Sequence, residues 1–523
     1  MSRARRAIIL AVASALGLFT AAGVPGGRGA RVEAQSAPRP NVVVILVDDL
    51  DSRAFARMLS LGLLPNIQSA IVGHGVTFTN SFVTNALCAP SRATFLTGQY
   101  SHNHGVLSNA PPNGGVTALD DTRTLATWMH AAGYRTGMIG KYLNFYGGID
   151  VNRDGTLDIE DAKYVPPGWD DWEVLLDPST YLMYQYTINR NGSLVSYGSA
   201  SGDYQTDVLA ARAAKFVDDS EASDAQPFFL TIAPAAPHSE LWPAVPDKIY
   251  SDAWRWTIRP APRHAGTITV GLPPIPSFNE ADVSDKPAWI QAHPLLTNTD
   301  MTFAQRKYQD RLGAMRAVDD LVGSVVQALV RDDELANTVL VFTSDNGFFI
   351  GEHRLAEKLT AHEESIRVPL VISVPTMTRA QNSTALVLNN DVAPTIAELG
   401  GATPDRALDG RSLVPLLSDP GSSAWRRRFL VEHWPIESRT LGVFEVPLFA
   451  AVRMASLTWV EYQDNAGSRE FYDATTDPYQ LTSLHDSTNA DRVSQRQVMS
   501  QWLGGFRDCG GGTCQTLEFW VAR

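Results

Sequence analysis

Cysteine is nearly absent from this chain: there are three in 523 residues, Cys88, Cys509 and Cys514. So few exclude a disulfide-stapled scaffold and a cysteine-rich zinc module. Cys509 and Cys514 flank Gly510-Gly511-Gly512-Thr513, a loop short enough to close as a disulfide in an oxidising compartment. That leaves Cys88 as an odd thiol in need of an explanation. Positive charge is also scarce. Forty-three Lys and Arg against 56 Asp and Glu give a net charge of −13. Such a surface excludes nucleic acid as a partner and fits poorly with wrapping a long polyanion, so any affinity for an anion must come from a local cluster of cations. Long apolar runs are missing beyond the N-terminus. There, Arg3, Arg5 and Arg6 precede an apolar run from Ala7 to Val24, and small residues lead on to Ala34-Gln35-Ser36. This is the pattern of a cleaved export signal over residues 1–36, and the expected protein is secreted or extracytoplasmic, with no stable membrane insertion afterwards. Cleavage after Ser36 would remove five arginines and one glutamate, lowering the charge by four to −17.

What the chain does have is an alternation of apolar strands and helices without internal repeats. Val42-Val43-Val44-Ile45-Leu46-Val47 is apolar throughout and ends in Asp48-Asp49, the pattern of a central parallel strand with carboxylates at its C-terminal edge. Similar strands are expected over 135–139, 228–233, 339–343 and 368–374, with the longest helix over about 303–330. The fold class is an open α/β sheet, whose ligands sit at strand C-terminal ends. Two such ends carry oxygen ligands. Asp48 and Asp49 follow the first strand, and Asp345-Asn346-Gly347 follows the strand at 339–343. Together they make a hard oxygen site for calcium or magnesium, although either pattern alone is also that of a solvated turn. After about Pro420 the strands become shorter and more polar, which predicts a small antiparallel subdomain over 421–523, with residues 37–420 forming the main domain.

The odd cysteine lies in Leu87-Cys88-Ala89-Pro90-Ser91-Arg92-Ala93-Thr94-Phe95-Leu96-Thr97-Gly98. Pro90-Ser91 sets up a helix start, where free N–H groups favour an anion. Arg92 adds a planar cation suited to sulfate-like oxyanions. By itself, Cys88 could be a buried structural thiol beside a helix cap. The segment, however, resembles the signature of the sulfatase family at each of its defining positions. That resemblance implies an alkaline-phosphatase-like α/β/α sandwich. It also implies that a formylglycine-generating enzyme oxidises Cys88 to formylglycine, an aldehyde whose hydrate attacks the sulfur of a sulfate ester and passes through a covalent sulfo-enzyme intermediate. Asp48, Asp49, Asp345 and Asn346 then become the ligands of one divalent cation, usually Ca2+, which also contacts residue 88.

Further motifs extend the resemblance over nearly the whole chain. Gly133-Tyr134-Arg135-Thr136-Gly137-Met138-Ile139-Gly140-Lys141-Tyr142-Leu143 resembles the second signature, with Lys141 as its catalytic lysine. His238 in Ala235-Ala236-Pro237-His238 matches the histidine facing the leaving group, and Lys358, upstream of Ile366-Arg367-Val368-Pro369, the second lysine. Gly140-Lys141-Tyr142-Leu143-Asn144, Ser101-His102-Asn103-His104 and Tyr164-Val165-Pro166-Pro167-Gly168-Trp169 look like the N-acetylglucosamine-6-sulfatase and heparan endosulfatase branch. The endosulfatases' long basic insertion is missing, which points to a small or chain-terminal sulfated carbohydrate such as N-acetylglucosamine 6-sulfate. Arylsulfatases carry a histidine at the position of Leu143; here Asn144 or His104 are the candidates to replace its contact. The same scaffold hosts phosphate and phosphonate ester hydrolases, and a silent sulfated-glycan binder is a third reading, disfavoured because no ligand or cysteine is lost.

Two segments stand outside these motifs. Residues 150–161 match an EF-hand loop, with Asp150, Asn152, Asp154, Thr156, Asp158 and Asp161 as candidate ligands of a second calcium; the alternative is an acidic solvated turn. Residues from Ser239 to Asp300, with Trp242, Trp254, Trp256 and Trp289, are too irregular for the sheet and read as an excursion near the pocket mouth or as packing cover.

Overall fold

A computed structural model of the protein describes residues 39–150, 156–222, 226–240, 257–434 and 446–519. The expected export signal lies outside these residues, as do Asn152, Asp154, Trp242, Trp254 and Trp256. Ten strands form the main sheet. They are β1 (Asn41–Val47), β2 (Gly75–Phe82), β3 (Arg135–Gly140), β4 (Asp171–Leu175), β5 (Thr187–Arg190), β6 (Ser193–Ser196), β7 (Phe228–Ala233) and β8 (Thr338–Ser344), then, after a short hairpin of β9 (Phe349–Ile350) and β10 (Ala356–Glu357), β11 (Leu370–Ser373) and β12 (Gln381–Leu388). Their order is β12-β2-β11-β8-β1-β7-β3-β4-β5-β6.

All seven residues of β1 are buried. A strand with no polar side must be covered on both faces, and its alternation achieves this. Val43, Ile45 and Val47 enter one apolar cluster, and Val42, Val44 and Leu46 enter another. The first is closed by Met315, Val318 and Val322 of the helix Asn298–Arg331. Ala93 of the helix Cys88–Thr97 and Val392 and Ile396 of Val392–Gly400 close the second. Burying each such side chain contributes about 1.5–3 kcal/mol, so the central strand is firmly fixed between helical layers. Its neighbours β7 and β8 are both parallel to it, and β3 is parallel to β7. Four consecutive strands therefore deliver their C-terminal ends to one edge.

The segment expected as a further parallel strand near 368–374 is β11, which runs antiparallel to both β8 and β2. Its apolar run is as continuous as that of β1, and an all-buried run carries no information on direction. The long helix starts at Asn298, earlier than expected, because Thr297 caps it: Asp300 N–H donates to Thr297 Oγ1 at 3.2 Å and Thr297 N–H to Asp300 Oδ2 at 2.9 Å.

The C-terminal region forms the antiparallel sheet β13 (Arg428–His433), β14 (Phe449–Met454), β15 (Leu457–Tyr462) and β16 (Arg469–Asp473), backed by the helix Ala490–Phe506. Cys509 and Cys514 form a disulfide. Trp289 packs edge-on against Tyr462 of this sheet at 6.1 Å, so it serves as packing cover. The Ser101–His104 motif ties the cysteine helix to the same region. His102 Nδ1 lies 3.0 Å from Glu432 Oε2 and Nε2 lies 3.0 Å from the Cys509 carbonyl. Two acceptors on one imidazole require both nitrogens to be protonated. Burial opposes that charge, but the hydrogen bond and charge of Glu432 win and push the ring up to about 9.

Because the folded value exceeds the ordinary 6.5, this pair's stabilisation is complete below pH 6.5 and is lost as pH rises through about 9. Glu432→Gln is therefore expected to destabilise the protein by about 1.5–3 kcal/mol near pH 6. Chemical denaturation across pH should find that the gap to the unsubstituted protein closes above pH 9; a constant gap would refute the charged pair.

Candidate active site

The edge at which β1, β3, β7 and β8 end gathers the sequence-predicted residues. Asp48 and Asp49 leave β1, Asp345 and Asn346 leave β8, His238 follows β7 and Lys141 follows β3. Gly140 makes the last of these possible. Its φ is +111°, and a Cβ there would lie 2.2 Å from the Ala233 carbonyl oxygen, so only glycine lets β3 turn Lys141 inward. Cys88 enters from above as the first residue of a helix buried along its whole length.

Cys88 is 1% exposed. Lys358 Nζ donates to its Sγ at 3.0 Å, and Asp48 Oδ1 lies 3.7 Å away. Burial pushes the thiol up to about 11 against the pull of Lys141 and Lys358. A thiol held there is protonated at neutral pH and a poor nucleophile. Arg92 Nε donates to Asp345 Oδ2 at 2.8 Å and Nη1 to the Lys141 carbonyl at 2.8 Å. Its Nη2 makes no hydrogen bond among the described residues and stands 3.9 Å from Asp48 Oδ2. The Lys141 ammonium rests on Asp48 and that of Lys358 on Asp49. Burial opposes both lysine charges, yet the facing carboxylates raise both ammonium groups above their ordinary range. The same contacts, prevailing over burial, hold Asp48 and Asp49 low. Asp345, buried and facing Asp48, is instead pushed up to about 6. His238 Nδ1 faces the Ser239 carbonyl at 2.7 Å, which assigns its proton there, and Nε2 lies 3.6 Å from Asp49 Oδ2. Burial lowers this imidazole.

These residues fit a hard cation. Asp49 Oδ2 and Asn346 Oδ1 are buried acceptors with no hydrogen-bond partner among the described residues. Ligand atoms of Asp48, Asp49, Cys88 and His238 all lie within 4.8 Å of one another. Bare oxygens flanked by further carboxylates are what calcium or magnesium satisfies. Asn346 reaches Asp49 through Nδ2 at 2.5 Å, and Asp345 accepts from the Asp49 amide at 3.1 Å as well as from Arg92.

Other expectations meet a different arrangement. One amide in the first turn of the cysteine helix is taken: Ala89 N–H donates to Asn109 Oδ1 at 2.8 Å. His104 does not reach the site. Its nitrogens are spent on Thr94 Oγ1 at 3.0 Å and the Val106 amide at 3.1 Å, and burial drives it down to about 3. Asn144 acts through an intermediary, donating to Tyr181 Oη at 2.7 Å. At the EF-hand-like loop, Asp158 and Asp161 cap the helix Ile159–Lys163 reciprocally, with Asp158 N–H on Asp161 Oδ2 at 2.8 Å and Glu160 N–H on Asp158 Oδ1 at 2.8 Å. Among the described residues, no cluster of three ligand groups forms there.

Three residues escape sequence reasoning. Tyr181 lies 4.7 Å below the Lys141 ammonium and 4.5 Å from the His238 ring. Arg311 and Lys307, buried on the helix Asn298–Arg331, approach from beneath. Arg311 reaches the Asp49 and Pro237 carbonyls, while Lys307 stands 3.9 Å from Glu357, next to Lys358. None belongs to a motif; for Arg311 and Lys307 the signal in the sequence is a charge at a core position of a long amphipathic helix.

A family model described as Sulfatase matches residues 40–402, and one described as N-sulphoglucosamine sulphohydrolase, C-terminal, matches 351–503. The chain is 33% identical over 512 residues to N-acetylglucosamine-6-sulfatase of Homo sapiens, covering 91% of this chain and 86% of that protein. It is 32% identical to an arylsulfatase of Volvox carteri, covering 93% and 77%. Among solved structures, one determined in complex with its substrate D-glucosamine-2-N,6-O-disulfate superposes with a TM-score of 0.73 at 23% identity, covering 91% of this chain and 98% of that one. The likeness shows an alkaline-phosphatase-like fold.

A hard divalent cation such as Ca2+ is expected to raise the thermal-unfolding midpoint with concentration, by the equivalent of about 2.7 kcal/mol at one hundred times its dissociation constant. Asp49→Asn should abolish the rise. A cation-independent midpoint in the unsubstituted protein would count against the site.

Proposed function

The chain belongs to the sulfatase family and is a sulfuric ester hydrolase, and from that premise we propose that it removes sulfate from a small or chain-terminal sulfated sugar, N-acetylglucosamine 6-sulfate being the first candidate. The observation that carries the mechanism is the setting of Cys88. It stands buried at the focus of two lysines, an arginine and two aspartates, with Lys358 Nζ 3.0 Å from its sulfur. At the matching position the family uses formylglycine. As a hydrate, that group would supply one hydroxyl for attack on sulfur and a second through which sulfate would leave. A bound Ca2+, held by Asp48, Asp49, Asp345 and Asn346, would supply Lewis acidity toward the same oxygens.

The chain's own residues supply the rest. Arg92, through its unused Nη2, and the ammonium groups of Lys141 and Lys358 face the space beside residue 88. There they bind the sulfate oxygens and stabilise the charge developing on them. Low dielectric and fixed geometry make such groups far more effective than the same charges in water. His238 holds its proton-transfer atom, Nε2, on the side away from Ser239. Donation from Nε2 to the departing sugar oxygen, which a poor alkoxide leaving group needs, requires the doubly protonated ring, a charge that Asp49 Oδ2 at 3.6 Å favours against burial. The sugar assignment is supported by relatives such as the human N-acetylglucosamine-6-sulfatase, which align over most of the chain. Export is part of this reading, because the Cys509–Cys514 disulfide belongs in an oxidising compartment. Among the described residues no single helix is long and apolar enough to cross a membrane.

Mass spectrometry of the natively exported protein tests the nucleophile. The tryptic peptide running from Met58 to Arg92 should be roughly 18 Da lighter than its thiol form, and Cys88→Ala should release no sulfate. Only free thiol, from a host that modifies other sulfatases, would sink the mechanism. A second test concerns the acid. His238→Asn should slow hydrolysis of N-acetylglucosamine 6-sulfate by about 10²–10⁴-fold but hydrolysis of 4-nitrophenyl sulfate much less; equal losses on both would remove His238 from that role.

A further inference from the structure

The helix Asn298–Arg331 carries an arginine where its neighbours are apolar. Arg311 is 4% exposed, and Leu312, Met315 and Val318 around it belong to the core cluster. An aliphatic side chain would fill that position without the desolvation cost of a cation, so the guanidinium calls for a specific reason. Its contacts give one. Nη2 donates to the Asp49 carbonyl, Nη1 donates to the Pro237 carbonyl at 2.9 Å, and the plane lies over the Phe348 ring with its central carbon 4.1 Å from the centroid. Those three partners sit in the loops that follow β1, β7 and β8. Each of these loops carries a site residue beside the contact: Asp49 itself, His238 next to Pro237, and Asn346 two residues before Phe348.

The loops after β1 and β8 are also tied directly, by Asn346 Nδ2 to Asp49 Oδ1 at 2.5 Å and the Leu50 amide to Ser344 Oγ at 2.9 Å, so what Arg311 adds is the reach to the loop after β7. The Asp49 amide donates to Asp345 Oδ1 at 3.1 Å, and the Asp48 amide reaches the Ala236 carbonyl at 3.4 Å. Asp49 has a φ of +68°, a left-handed conformation that Asp tolerates but does not prefer. Its peptide is thus gripped on both sides, by Asp345 at the N–H and by Arg311 at the carbonyl. A planar fork with donors in two directions can span two carbonyls at once; an ammonium cannot hold both in the same fixed geometry.

We infer that Arg311 is a positioning residue of the hydrolytic site, a three-way clamp that sets the cation-facing oxygens of Asp49 and the imidazole of His238 in register with one another. It touches no substrate. Its effect is exerted through the distance between the leaving-group acid and the cation-binding carboxylates. The inference rests on the reading of this edge as a sulfatase centre.

Arg311→Lys keeps the charge and removes the fork. In the full-length exported protein, kcat on N-acetylglucosamine 6-sulfate is expected to fall roughly 10–100-fold, the scale of a sub-ångström to 1 Å misplacement. KM should move little. The loss on 4-nitrophenyl sulfate should be clearly smaller, because a good leaving group has less need of a well-placed acid. Titration calorimetry with Ca2+ alone should also show weaker binding, a readout independent of turnover. Full activity with unchanged Ca2+ affinity would overturn the inference, as would equal losses on both esters, which a merely destabilised fold would give. Should Arg311→Lys fail to fold, Phe348→Leu decides: it keeps both hydrogen bonds but removes the shelf, and should show the same ester selectivity in weaker form, while a wild-type ratio overturns the clamp. If the unsubstituted protein releases no sulfate from either ester, the sulfatase reading fails, and the Ca2+ titration still reports whether Arg311 orders Asp49.

Discussion

Three carboxylates, Asp48, Asp49 and Asp345, converge in a region closed to water, and the neighbouring structure follows from the need to keep them there. Two like charges 4 Å apart repel by about 4 kcal/mol even at an effective dielectric of 20. Without compensation the cluster would take up protons or unfold its strand ends. Compensation comes from Arg92 and Lys358 in the segments flanking the pair, from Lys141 turned inward by Gly140, and from Arg311 below. Each cation arrives on a different element, so the charge balance of the site is also a set of bonds between elements. The parallel order β3-β7-β1-β8 brings four strand ends within reach of one another, and the buried ion pairs fix which side chains meet.

The same balance reconciles an acidic protein with an anionic substrate. The chain carries −13 overall, and its surface field opposes a sulfated ligand at long range. Arg92, Lys141 and Lys358 are buried, where screening by salt is weak and a fixed cation acts at short range. The positive charge is therefore presented at one buried edge of the sheet.

How much of this was legible in the sequence depended on how local the signal was. Lys141 and the cysteine helix were legible through their resemblance to the family's signatures; Asp48-Asp49 and Asp345-Asn346 each follow a run of apolar residues, and a polar group ending a buried strand stands out. The main strands and the long helix were readable for the same reason. Direction was not: β11 is as apolar as β1, yet it runs the other way. Residues acting across long separations left no trace either. Arg311 meets Asp49 across 262 positions, and within its own helix it looks like any charge on an amphipathic turn. His104 misled in the opposite sense, because a histidine beside a motif residue invites a chemical role, while its two nitrogens in fact close a turn between Thr94 and Val106. Asp158 and Asp161 cap the helix Ile159–Lys163, an acidic pattern that calcium loops and helix caps share, so its residues alone do not separate the two.

The route by which the chain manages without a polar side chain at position 143 follows from its exit from β3. Once Gly140 has turned Lys141 into the site, Tyr142 and Leu143 fall into the apolar cluster, with Tyr142 edge-on to Trp172 at 5.0 Å. Asn144 is then the next residue able to point back. Its amide donates to the Tyr181 hydroxyl, and the Tyr181 ring spans Lys141 and His238. A direct polar contact is thereby exchanged for an aromatic wall held from behind. Burial raises the Tyr181 phenol well above its ordinary range, so the wall brings no proton that titrates near neutrality. What it contributes is low dielectric and a fixed seat for the Lys141 ammonium, since a ring face favours an ammonium lying over it. On this side of the site the Lys141 ammonium and the His238 ring thus stand against one aromatic wall, 4.7 Å and 4.5 Å from its centroid.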